Sequence, residues 1–313
     1  MTPRSDALLA RLVPLAPTRI VSATAARYIA GETLADALRT AADLSKRGAL
    51  STLDILGEAV TDSATADATL QGYLDALEAL VEARLDPHIS IKPSALGAAT
   101  DWSACRERVR EIVRAALPHS GIVNIDMEDS TTTDGTIGLY ESLRGEGLDN
   151  IAIVLQARLH RTHDDVTRLA PLAPHVRLCK GIYPESSAVA YTDDREVCES
   201  YLDCLDTLLD AGSYVAIATH ADTLINPALA ALRDRSRTRE SYEFQTLLGV
   251  REELVTRLVA NNHRIRVYVP YGPDWYAYAI RRLQESPQIA GHVARATVRS
   301  AVSRVRHPIR KPH

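Results

Sequence analysis

Eight short apolar runs recur along this chain with amphipathic stretches between them, and that alternation limits the fold more than any other feature. The runs are LDILGE (53–58), ISIKPSAL (89–96), IVNIDMED (122–129), IAIVLQARL (151–159), VRLCKGIY (176–183), YVAIATH (214–220), FQTLLG (244–249) and IRVYVPYG (265–272). The intervening stretches, such as DALEALVEARL and DWSACRERVREIVRAAL, carry apolar residues at helical spacing. One run follows the next after roughly thirty residues, the length of a βαβ unit. Strand-helix alternation of this kind points to a parallel sheet with helices packed on it. Eight such units predict a (β/α)8 TIM-like barrel, with a doubly wound open sheet as the structural rival. The first fifty residues, rich in Ala, Leu and Arg at helical spacing, read as an N-terminal helical arm, 1–50. The barrel would occupy 51–290, and 291–313 would form a C-terminal helical, basic tail.

Composition excludes several alternatives. With 46% hydrophobic residues in 313, the chain has ample material for a core. A formal charge of -4 argues against nucleic acid as the main partner. No apolar run approaches the roughly 20 residues that span a bilayer. The N-terminus, MTPRSDALLARLVPLAP, lacks a signal-peptide layout. The four cysteines, Cys105, Cys179, Cys198 and Cys204, form no C-x-x-C, so free thiols in a reducing cytosol are expected. A cytoplasmic protein follows, and Arg304, Arg306, Arg310 and Lys311 in SRVRHPIRKPH suit either an anionic membrane face or a solvated tail. The HRTH at His160 and His163 would need a further metal ligand, with Asp164 or Asp165 near, but it reads as a polar loop; no metal is expected. Gly145-Glu146-Gly147 precedes a strand instead of following one, so it reads as a turn and not as part of a dinucleotide fingerprint.

The apolar runs share an unusual ending. Lys92, Asp126, Gln156, Thr219 and His220 close their strands, while Arg177, Lys180 and Tyr268 sit inside or just after theirs. An unpaired charge is costly to bury, so such groups need partners or a ligand. The carboxyl ends of barrel strands form the active-site face, which makes these residues candidates for one pocket. A second cluster lies in YGPDWYAYAIRRLQE. Gly272-Pro273-Asp274 looks like a helix start and Pro287 like its end. Tyr278, Arg281, Arg282 and Glu285 then fall on one face, extended by Trp275. Adjacent arginines partly balanced by Glu285 suit bidentate capture of a carboxylate; a solvated helix with an internal salt bridge is the alternative.

Taken together, ISIKPSALG, NIDMED, VLQARL, VRLCKGIYPE, ATH, EFQTLLG and VYVPYGPDWYAYAIRRLQE resemble the proline dehydrogenase family, in particular its short, monofunctional bacterial type. The resemblance runs from about Gly57 to Glu285, and RYIAGET extends it into the N-terminal region. It implies a distorted (β/α)8 barrel, with FAD held without a covalent link at the carboxyl ends of the strands and a final helix over the mouth. The implied reaction is oxidation of L-proline to Δ1-pyrroline-5-carboxylate, with electrons passed to a quinone met at a membrane surface. A pyrroline-5-carboxylate dehydrogenase is the enzyme expected to take the product. By motif position, Asp126 and Arg177 would be the catalytic pair, with Arg177 near the reactive flavin nitrogen. Lys92, Arg281 and Arg282 would bind the proline carboxylate, Tyr268 and Tyr278 would shape the ring pocket, and Glu285 would pair with the arginines. Met127, Gln156, Lys180, Gly181, Ile182, Thr219 and His220 would contact FAD. The chain departs from the family at Ile182, where Ala is usual, and at Ala221, where Asn is usual. It keeps Tyr268, where relatives acting on hydroxyproline carry a smaller residue, and this favours proline.

The implied chemistry suits these residue types. A hydride leaves ring carbon C5 for the cofactor, while the protein supplies orientation. Asp126 would balance Lys92 or Arg177, and Arg177 or Lys180 would stabilise negative charge on the reduced flavin. None of the residues is an evident general base, so water or bulk buffer is the expected proton acceptor. Two other functions remain open on residue types alone. One is a (β/α)8 lyase or aldolase with Lys92 or Lys180 as a Schiff-base lysine; the other is a carboxylate-binding protein without catalysis.

Overall fold

The computed structural model describes residues 26–57, 59–276 and 278–280. Eight parallel strands close into a barrel in sequence order: β1 (Leu50–Ile55), β2 (His88–Ile91), β3 (Ile122–Ile125), β4 (Ile151–Gln156), β5 (His175–Cys179), β6 (Tyr214–Ala218), β7 (Tyr242–Leu247) and β8 (Ile265–Tyr271). β8 pairs with β1 from Leu50↔Arg266 to Ile55↔Tyr271, which closes the seam. The expected (β/α)8 class is therefore observed, and the open sheet is excluded. Every one of the eight apolar runs overlaps its strand. Four strands begin upstream of the run: β2 and β5 by one residue, at His88 and His175, β1 at Leu50, where it pairs with Arg266, and β7 at Tyr242, where it pairs with Val215.

The helices of the outer layer are α1 (Leu34–Lys46), α2 (Ser63–Glu82), α3 (Trp102–Ala116), α4 (Thr133–Gly145), α5 (Thr162–Leu169), α6 (Asp194–Asp210), α7 (Asp222–Asp234) and α8 (Glu252–Ala260). Their starts are written in the sequence. Thr33 and Asp36 form a reciprocal capping box on α1, and Asp62, Asp101 and Asp193 cap α2, α3 and α6 through side-chain oxygens. Each such cap is worth about 1 kcal/mol. Ala37, Ala41 and Leu44 of α1 lie on one helical face and are buried in the main core. That face packs on both β1 and β8, so α1 covers the seam where the barrel closes. Gly145 ends α4, and Gly147 takes a left-handed backbone, as befits a turn.

The strands carry two unlike faces. Ile89, Ile91, Val123, Ile125, Val176, Leu178, Ile217, Phe244 and Val267 belong to the apolar core between strands and helices. The alternate positions include Thr52, His88, Ser90, Asn124, Arg177, Glu243, Gln245 and Arg266, all buried. Arg177 of β5 reaches Ser90 of β2 with 2.8 Å between Nη2 and Oγ. Strands three apart in a closed barrel meet only across its lumen, so this alternate face points inward. The barrel interior is thus a polar column, and the apolar core is the ring around it.

Candidate active site

The upper end of that column gathers the expected catalytic residues. Lys92 follows β2 directly, and Pro93, which has no amide proton, opens a 3-10 turn there instead of continuing the strand. Asp126 follows β3, its amide donating to Ile91 O at 2.8 Å so that the ladder runs one step past the strand. Arg177 and Tyr268 stand on β5 and β8. Arg177 Nη1 donates to Asp126 Oδ1 at 2.7 Å, and Lys92 Nζ donates to Asp54 Oδ1 of β1 at 2.6 Å. The Tyr268 hydroxyl joins the pairs, accepting from Lys92 Nζ at 3.2 Å and donating to Asp126 Oδ2 at 3.2 Å. Lys92 Nζ is 3.8 Å from Asp126 Oδ2, so it spans both carboxylates. The guanidinium of Arg177 and the ammonium of Lys92 both lie over the Tyr268 ring, at 5.5 and 5.9 Å from its centre. Burial, with Asp126 and Asp54 nearby, drives the Tyr268 phenol well above its ordinary range, so it remains a neutral donor.

Asp126 balances Arg177 by direct contact, whereas Asp54 holds Lys92. Asp54 is absent from the sequence-derived residue set. Its signal was a carboxylate inside an apolar run, LDILGE, at the inward parity of the strand. Asp54 Oδ2 is buried without a hydrogen-bond partner. Burial pushes the Asp54 carboxyl up to about 6, with Lys92 opposing the rise and Asp126 adding to it.

Below the pocket the column is continuous. Arg177 Nε donates to Gln245 Oε1, Gln245 Nε2 donates to Glu243 Oε1 at 2.6 Å, and Glu243 receives Arg266 Nε and Nη2 at 2.7 and 3.0 Å. Arg266 also bonds Ser51 O at 2.8 Å and pairs with Asp86. Arg177 is therefore fixed by Gln245, Ser90 and Asp126 from three different strands or strand ends. Gln245, Ser90, Glu243 and Arg266 were not selected from sequence. Single polar residues alternating with apolar ones in YEFQTL and IRVYVP carried that information.

The remaining expected residues sit on the same carboxyl-end rim. Gln156 ends β4, and its Nε2 donates to Glu128 O at 2.7 Å. Gly181 has φ +97, and a Cβ there would lie 2.8 Å from Gln156 Oε1, so only glycine fits. Lys180 pairs with Asp194 in the first turn of α6. Thr219 and His220 follow β6; His220 Nε2 accepts from Leu247 N at 3.0 Å, which assigns the proton of a neutral ring to Nδ1. Ile182 is 51% exposed at the rim. Met127 is the exception, being buried in the main apolar core. Ser130 N and Oγ both donate to Glu185 at 2.7 Å, tying the loop after β3 to the loop after β5. Tyr278 packs with Tyr28, Ile29, Leu56 and Ala279 in a cluster that Tyr268 and Trp275 join, which brings the start of the segment after β8 to the Tyr268 side of the pocket. Arg281, Arg282 and Glu285 lie outside the described residues.

Elsewhere, the His160 ring meets Tyr191 edge-on at 4.4 Å, and its Nε2 lies 3.2 Å from Ser187 O. Among the described residues, no group of three His, Cys, Asp or Glu stands ready for a metal, and no helix is long and apolar enough to cross a membrane. The four cysteines are free thiols.

A closed parallel barrel with paired charges converging at the carboxyl ends of its strands has the layout of a (β/α)8 enzyme site. Comparison with known proteins makes this specific: the family model described as "Proline dehydrogenase" matches residues 37–295. The chain is 34% identical over 279 residues to the proline dehydrogenase of Deinococcus radiodurans, covering 88% of this chain and 90% of that one. It is 34% identical over 263 residues to proline dehydrogenase 2 of Bacillus subtilis, covering 84% and 86%. In fold it is similar to the crystal structure of proline utilization A from Bdellovibrio bacteriovorus inactivated by N-propargylglycine, with a TM-score of 0.79 at 24% identity over 85% of this chain and 33% of that one. The chain belongs to the proline dehydrogenase family, a family of oxidoreductases.

Proposed function

We propose that this protein oxidises L-proline to Δ1-pyrroline-5-carboxylate, the first step of proline breakdown, using FAD bound at the carboxyl-end rim and a quinone as electron acceptor. The observation that carries the proposal is the junction of Asp54–Lys92 and Asp126–Arg177 through one tyrosine hydroxyl, at the carboxyl ends of the barrel strands. Family membership supports the substrate and, with it, the cofactor. The rim residues fit such a cofactor. Gln156, Lys180, Thr219 and His220 supply an amide, a cation, a hydroxyl and an imidazole, Ile182 offers an exposed apolar surface, and Gly181 brings backbone close where a side chain would clash. FAD held by these rim residues would supply the hydride acceptor for ring carbon C5.

The chain's own residues do the rest. Lys92, with Arg281 and Arg282, holds the substrate carboxylate, and Tyr268 and Tyr278 pack against the ring. Fixing one end of a small rigid ring sets the position of C5, and positioning of that kind lowers a barrier by several kcal/mol. Arg177, locked by three partners, keeps its guanidinium plane constant through the reaction, so no reorganisation is needed as charge develops. Hydride loss requires a neutral amine. Asp126 is already engaged by Arg177 and Tyr268, which suits it to balance charge; water takes the amine proton.

The test is an anaerobic titration of the purified yellow protein with L-proline. Bleaching of the flavin absorbance is the expected result. A flavin that stays oxidised under excess L-proline would refute the reading, as would a colourless protein trapped by borohydride with a carbonyl substrate.

A further inference from the structure

We infer that Asp54 competes with the substrate carboxylate for Lys92, so that this β1 carboxylate sets the anion affinity of the pocket and couples substrate binding to uptake of a proton. The inference rests on the reading of the pocket as a carboxylate site, and it assigns a role to a residue outside the set carried over from the family motifs.

The geometry is direct. Asp54 is fully buried, and Lys92 Nζ donates to its Oδ1 at 2.6 Å. A ligand carboxylate approaching Lys92 meets a cation whose nearest counter-ion is already in place. Among the described residues, the groups facing Asp54 are Lys92 after β2, Asp126 after β3, Tyr268 and Tyr271 on β8, and Tyr73 on α2. Burial, together with the charges of Asp54 and nearby groups, raises all three phenols, so they stay neutral. Lys92 is thus the one cation in that set, shared between two carboxylates, 2.6 Å from Asp54 and 3.8 Å from Asp126. A third carboxylate brought to Lys92 adds like charge beside Asp54, whose Oδ2 is buried without a partner to stabilise it. Protonating Asp54 relieves that repulsion and releases the Lys92 charge to the ligand. Burial has already placed this carboxyl near neutrality, at about 6, opposed by Lys92 and assisted by Asp126. The linkage has one sign. Anion binding favours the protonated acid, so affinity is highest where Asp54 is protonated and falls as pH rises above its pKa in the free protein.

The probe is cyclopentanecarboxylate, a carboxylate of similar ring size without an amine, so that no substrate amine titrates. Binding to the FAD-loaded protein is measured by calorimetry in two buffers of different ionisation heat, from about pH 6 to about pH 8. The expected result for the wild type is net proton uptake on binding and an affinity that weakens by up to about tenfold per pH unit. Asp54→Asn keeps an oxygen for Lys92 and removes the charge. It should abolish the uptake, flatten the pH dependence and bind about tenfold tighter at the alkaline end. Lys92→Met, which removes the contested cation, should also abolish the uptake. Wild-type binding without proton uptake would overturn the inference and needs no variant, and so would uptake that persists undiminished in Asp54→Asn. If the loaded wild type binds no carboxylate at all, the carboxylate-site reading falls, and the inference falls with it.

Discussion

Replacing Glu243 by Gln tests whether the polar column holds the barrel together. Glu243 is fully buried and accepts four hydrogen bonds, two from Arg266 at 2.7 and 3.0 Å, one from Gln245 at 2.6 Å and one from Tyr214 at 3.1 Å. Burial alone would raise its pKa, but the charge and hydrogen bonds of Arg266 outweigh burial and bring the carboxyl from 4.5 down to about 2. A depression of that size corresponds to about 3 kcal/mol of folding stability at neutral pH. Breaking a buried ion pair from one side costs about 3–5 kcal/mol by a separate line of reasoning. Asp86 still partners Arg266, which favours the lower figure. Glu243→Gln should therefore cost about 3 kcal/mol, or about 6 °C in Tm at the roughly 2 °C per kcal/mol of a chain this size. The acid side gives a second check. A carboxylate with a lowered folded-state pKa stabilises above its unfolded value of 4.5 and loses that contribution as pH falls towards about 2. The gap between wild type and variant, read by urea unfolding, should be constant near neutrality and shrink below about pH 4.5. A cost under about 1 kcal/mol, or a gap that does not narrow in acid, would refute the reasoning.

Four further changes probe the site and its rim. Tyr268→Phe removes the hydroxyl that joins Lys92 to Asp126, and steady-state kinetics should show kcat/KM for proline about tenfold lower. Gly181→Ala places a Cβ 2.8 Å from Gln156 Oε1 in a left-handed backbone. Strain of about 1–3 kcal/mol is expected, read as a lower Tm and weaker flavin retention; unchanged retention would remove Gly181 from the cofactor rim. Ala221 is the N-cap of α7 and offers no side-chain acceptor, so Ala221→Asn should add about 1 kcal/mol of stability in urea unfolding. Arg281→Met should raise the KM for proline with flavin content nearly intact; an unchanged KM would contradict the carboxylate clamp.

The strands were legible because period and punctuation are local. An apolar run followed by Lys92-Pro93, or by Asp126, marks a strand end whatever lies across the barrel. The helix starts at Thr33, Asp62, Asp101 and Asp193 rest on equally local side-chain caps. The local strand signals also placed Lys92, Asp126, Arg177 and Tyr268 at one end of the sheet once eight units were counted, and these four residues do meet. Asp54, Ser90, Glu243, Gln245 and Arg266 escaped selection because each looks like a lone polar residue in a buried strand. Their partners lie 23 to 215 positions away, apart from the Gln245–Glu243 contact within β7. Met127, expected at the cofactor from its motif, has its side chain buried in the apolar core.

The sequence by itself determined the order of elements, the count of eight strand-helix units and the kinds of group that end the strands, because hydrophobic periodicity and end signals act between near neighbours. Which carboxylate answers which cation was decided only by the tertiary structure. Closure of the barrel sets Asp54 against Lys92, Asp126 against Arg177, and Gln245 between Arg177 and Glu243. The physical reason is that a charge stripped of water must take whatever partner the lumen brings within about 3 Å, and that choice is made by distance across the barrel, not by position along the chain.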